Sequence, residues 1–65
     1  MAPPTGELSS IATALEELTR RVTVHADAAD ALKDDETAKE LFAIERSLQG
    51  ASRRLTRLTA TLRRR

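Results

Sequence analysis

Few side chains in this chain are equipped for chemistry, and their types narrow what that chemistry can be. There is one histidine, His25, and there is no cysteine, tyrosine or tryptophan. The absence of Cys removes disulfides, thiolate nucleophiles and Cys-type zinc sites together. A single His leaves no histidine-rich metal site within one chain. His25 falls inside an apolar series, where a polar ring sets register at a cost in stability, or finds a hydrogen-bonding partner. A symmetric dimer that brought two copies of the ring together would weaken on protonation, between about pH 7 and about pH 5.5. The carboxylates Asp27, Asp30, Asp34, Asp35 and Glu36 crowd one stretch. They lack the alternating oxygen ligands and central Gly of an EF-hand loop. Helix capping accounts for Asp34 to Glu36 more simply than a metal does. No glycine-rich phosphate loop, nucleophile–base pair or zinc-binding helix motif is present. No catalysis, cofactor or metal is expected.

The arginines are the other candidate. Residues 1–45 carry four basic and ten acidic side chains, whereas residues 46–65 carry seven Arg and no acid. Arg46, Arg53, Arg57 and Arg64 share the outward face of a helix, with Arg54 and Arg63 beside them. The stripe is about 25–30 Å long at the helical rise. It has three readings. Neighbouring Glu7, Glu16 and Glu17 could balance it within the chain, as charge runs mostly form solvated faces. It could neutralise phosphates of a nucleic acid, although no aromatic interleaving or named motif accompanies it. It could lie on an anionic membrane surface, but residues 46–64 hold no Trp or Phe to anchor there.

Two elements must position these residues. Leu8, Ile11, Leu15, Leu18, Val22, His25, Ala29 and Leu32 follow one another in alternating steps of three and four. With Leu8 as heptad position a, Leu15, Val22 and Ala29 are also a, and Ile11, Leu18, His25 and Leu32 are d. A second series, Leu41, Ile44, Leu48, Ala51, Leu55, Leu58 and Leu62, keeps the same steps in a different frame. The frame breaks across Lys33-Asp34-Asp35-Glu36-Thr37. Acidic residues favour a helix start and Arg63-Arg64-Arg65 a helix end. Pro3-Pro4 cannot be helix interior, so residues 1–5 read as a disordered start with Thr5 as N-cap. The fold predicted is all-α: an antiparallel, coiled-coil-like helical hairpin over 6–65, with helices at about 6–32 and 35–64 and a tight turn near 33–35.

Folding about residue 33 sets Leu8 against Leu58, Ile11 against Leu55, Leu18 against Leu48, Val22 against Ile44 and His25 against Leu41. A register one heptad along needs a longer loop. No Gly or Pro enforces the turn, so one long helix with a stutter is an alternative. A three-helix bundle broken at Gly50 is another, although the second series passes through Gly50 without a shift. Gly50 is at outward position c, where tolerance or a close helix crossing would explain it.

The chain has 65 residues and 7.1 kDa. A domain this small needs disulfides, a metal or association to be stable, and the first two are missing. The residues flanking the seam at e and g are mostly Ala, Ser and Thr, which widens the apolar face beyond that of a two-stranded coiled coil. Two hairpins in a symmetric dimer would bury such faces as a four-helix bundle. The expected seam of that oligomer is Leu8, Ile11, Leu15, Leu18, Val22, His25 and Leu32 with Leu41, Ile44, Leu48, Leu55, Leu58 and Leu62. Off the seam, Val24, Ala28, Ala31, Ala38 and Phe42 form a candidate docking patch, with Phe42 as the aromatic anchor. The function expected is that of a small non-enzymatic protein–protein interaction module, an adaptor, regulator or assembly factor acting as a homo-oligomer. The alternatives are a nucleic-acid-binding protein using Arg46, Arg53, Arg57 and Arg64, and a subunit completed by a larger partner. No signal peptide or membrane-spanning stretch is visible, so a cytoplasmic location is expected. Ala and Arg in excess over Lys suggest a GC-rich, bacterial genome, and the initial Met fits a complete small reading frame.

Overall fold

The computed structural model describes Pro4–Arg65. Helix α1 spans Thr5–Ala31 and helix α2 spans Asp35–Arg63. They lie against each other as an antiparallel hairpin measuring 51 × 14 × 13 Å, with no strand among the described residues. One long helix is thereby ruled out. So is a bundle broken at Gly50, because α2 runs through that residue uninterrupted.

The turn is made by two caps sharing one residue. At the end of α1 the Lys33 N–H donates to the Asp30 carbonyl and the Asp34 N–H to the Ala29 carbonyl, each at 3.0 Å. This is a Schellman closure, in which one residue must enter the left-handed region. That residue is Lys33, with φ 63°. Asp34 then caps α2: its Oδ1 accepts the Thr37 N–H at 3.3 Å and its carbonyl accepts the Ala38 N–H at 2.9 Å. Asp35 and Glu36 occupy the first turn of α2 and Arg63 its last, each the favourable sign for the helix dipole. The start of α1 differs from the sequence expectation. Pro4 is the N-cap and makes no side-chain cap, and Thr5 is already helical. Proline suits the junction because it has no N–H to leave unpaired, and its carbonyl accepts the Leu8 N–H at 3.0 Å. Of the disordered start expected over 1–5, residues 1–3 lie outside the described residues.

The seam between the helices runs along a and e rather than a and d. Ala12, Thr19, Ala26 and Ala29 of α1 and Ala38, Ser52 and Thr59 of α2 are buried. The a-position Leu8, Leu15, Val22, Leu41, Leu48, Leu55 and Leu62 are half-buried beside them. Among the described residues nothing larger than Thr is buried, because small e residues let the backbones approach and leave the leucines flanking the line of contact. The buried hydroxyls are satisfied within their own helices: Thr19 Oγ1 donates to the Leu15 carbonyl at 2.6 Å and Thr59 Oγ1 to the Leu55 carbonyl at 2.8 Å.

This seam also corrects the expected register. Ala12 shares a hollow with Thr59, Leu15 with Leu55 and Leu58, and Thr19 with Ser52. Folding about residue 33 would have placed Ala12 against Arg54 and Thr19 against Ser47. The register adopted stacks small e residues on small e residues and Leu on Leu.

Candidate interaction surface

In an antiparallel pair that meets along a and e, the d positions of both helices emerge on one side and the b positions on the other. The hairpin therefore has two unlike faces. The front carries Ile11 and Leu18, each 45% exposed, with Leu32 at 80%, Ile44 at 41% and Leu58 at 49%. Between these rows lie the half-buried a-position leucines. Leu15, Ala51, Arg54, Leu55 and Leu58 line a shallow apolar hollow on this face. His25 stands exposed in the same d row, between Leu18 and Leu32.

The back is polar. Ser9, Thr13, Glu16, Thr56 and Arg63 line its hollow at the open end, above Ala12, Thr59 and Ala60. Two cross-helix pairs tie the helices together there. Arg63 Nη2 donates to Ser9 Oγ at 2.8 Å. Thr23 Oγ1 donates to the Glu45 carboxylate, with the Thr19 carbonyl at 3.0 Å as its other acceptor. These side chains spend their polar groups on each other, whereas the central d row of the front holds one polar side chain, His25.

The expected oligomer seam is thus split by the fold. Its a members join α1 to α2, and its d members, Ile11, Leu18, His25, Leu32, Ile44 and Leu58, are left facing outward together. The expected docking patch is not brought together. Ala38 is buried in the seam, and Phe42 is half-buried on the back flank of α2. Val24 is 61% exposed on the edge of α1 turned away from α2, two residues from fully buried Ala26. Ala28 and Ala31 are exposed on α1. The sequence did not distinguish the a from the d positions. The signal that could have done so is the run of small residues at e, which marks the side where helices approach closely.

Arg46, Arg53, Arg57 and Arg64 are all exposed on the outer edge and back of α2. The one ion pair among the described residues joins Arg20 to Glu17 within α1. Glu16 shares hollows with Arg53 and Arg57 without a close ion pair, so the expected neutralisation by α1 is loose. Near the turn, Glu36, Thr37, Lys39, Glu40 and Leu41 line an open dish. Among the described residues no group of three potential metal ligands converges, and no helix is long and apolar enough to cross a membrane. No protein-family model, curated protein or solved structure matches the chain.

Proposed function

We propose that this chain is a protein–protein interaction module whose front face associates with a second copy, giving a four-helix bundle that works by displaying its remaining surfaces as an adaptor, regulator or assembly factor in the cytoplasm. The observation that carries this reading is the row of exposed Ile11, Leu18, Leu32, Ile44 and Leu58 on one side of the hairpin. Contiguous apolar surface of this kind marks an interaction site rather than ordinary surface composition. The amount of surface points the same way. The chain exposes 5104 Å². A compact monomer of this mass would expose about 4,100 Å². The surplus of about 1,000 Å² is comparable to the roughly 800 Å² that each partner buries in a standard interface. Light scattering on a size-exclusion column tests the reading. A mass of twice the chain is expected, and Leu58→Asp on the front face should return it to a single chain. A monomeric parent chain would assign the face to a different protein.

One observation favours a second reading. Arg46, Arg53, Arg57 and Arg64 have no close acidic partner among the described residues and stay clear of the front face. A nucleic-acid contact by this edge would weaken steeply with salt and show little sequence preference. Replacing the four Arg with Gln should abolish such binding, and binding that survives the replacement would rule this edge out.

A further inference from the structure

We infer that the two hairpins join front to front with their turns at opposite ends, each acidic turn lying beside the partner's arginine-rich open end. This rests on the front-face reading above and specifies its geometry. The charge is sorted along the rod. Residues 27–40, at the turn, hold six acids against the two lysines Lys33 and Lys39. At the open end residues 53–65 hold six Arg, set against Glu7, Glu16 and Glu17 of α1, and Glu17 is already engaged by Arg20. The hairpin is 51 Å long, several times the screening length of about 8 Å in physiological salt. The two ends of one molecule are therefore too far apart to neutralise each other.

Two symmetric arrangements bury the front. With both turns at one end, α1 lies on the partner's α2, and the two acidic turns coincide at one end of the bundle while the two arginine-rich ends coincide at the other. With the turns at opposite ends, α1 lies on the partner's α1 and α2 on its α2. Leu18, at the middle of α1, then sits at the two-fold axis, level with Ala51. Ile44 meets the partner's Leu58, and the arginine-rich open end of each hairpin lies at the same end of the bundle as the partner's acidic turn. The apolar rows fit either way, so charge decides. Like charges held together across an interface are costly, and complementary ones fix its orientation.

The chain has no cysteine of its own, which makes single-Cys variants clean probes. Opposite-ended packing places the two copies of position 51 at the axis, and likewise the two copies of position 18. Ala51→Cys and Leu18→Cys should each oxidise to a covalent dimer alone, at least tenfold faster than the outer-edge control Ser10→Cys. Same-ended packing puts position 18 against position 51 of the partner, so only a mixture of the two variants would cross-link. A dimer by light scattering in which Ala51→Cys does not self-cross-link overturns the opposite-ended arrangement and leaves the front-face reading intact. A monomer overturns both. Ala51→Cys replaces one small exposed side chain with another, so it keeps the test valid if Leu18→Cys fails to fold.

Discussion

At the scale of single residues, the hairpin depends on what happens at Lys33. A left-handed backbone is costly for a residue with a Cβ and nearly free for glycine. Lys33→Gly should therefore raise stability by about 0.5–1 kcal/mol, partly offset by the greater freedom glycine gives the unfolded chain. Thermal denaturation by circular dichroism measures it, and a lower midpoint would show that φ at this position is not the strained feature. Asp34 acts in the opposite sense. It closes α1 with its N–H and caps α2 with its side chain, so Asp34→Ala should cost about 1 kcal/mol. Gly50 is a third position. A Cβ built there meets nothing within 4 Å, so no close crossing demands the glycine. Gly50→Ala should stabilise α2 by about 1 kcal/mol without changing the oligomeric state, since the residue lies on the outer edge. The acid cluster at the turn was legible from sequence as a cap, but the left-handed residue was not, because Lys gives no signal for positive φ.

At the scale of the elements, the seam between α1 and α2 is held by close approach of small side chains. Ala26 is fully buried and Ala38 nearly so. Ala26→Leu should force the helices apart and destabilise the hairpin by about 1–3 kcal/mol, read from denaturant unfolding. The same change at exposed Ala14, on the opposite flank of α1, should cost far less. The two helices and their ends were readable because heptad spacing reports helical period directly. The register was not readable, because a hydrophobic series identifies an apolar side without saying which of its edges meets which neighbour. Leu15 and Leu18 look alike in sequence, yet one flanks the seam and the other stands 45% exposed. What separates them is the size of the residue four places on, Thr19 beside the first and Val22 beside the second. The polar pairs Thr23–Glu45 and Arg63–Ser9 were also invisible, since they exist only in the register adopted.

At the scale of the whole molecule, the question is whether one hairpin can stand alone. No large side chain among the described residues is fully buried, and the buried set is limited to Ala, Ser and Thr. Leucines that would each contribute about 1.5–3 kcal/mol if fully buried are left partly in water on the front. Ordering the backbone costs on the order of 1–2 kcal/mol per residue, and a 65-residue chain has little else to set against it. Folding and association should then be one event, with the midpoint of helix loss set by mass action. Between about 1 and 100 μM chain, the thermal midpoint should climb steadily, and dilution should remove helix and dimer mass together. His25→Leu should shift this curve toward greater stability, because it removes the one polar side chain in the central d row of the front face. If the midpoint stays fixed across that range while the mass changes, the a/e seam alone holds the hairpin, and its front face is a surface for binding rather than a missing half of the core.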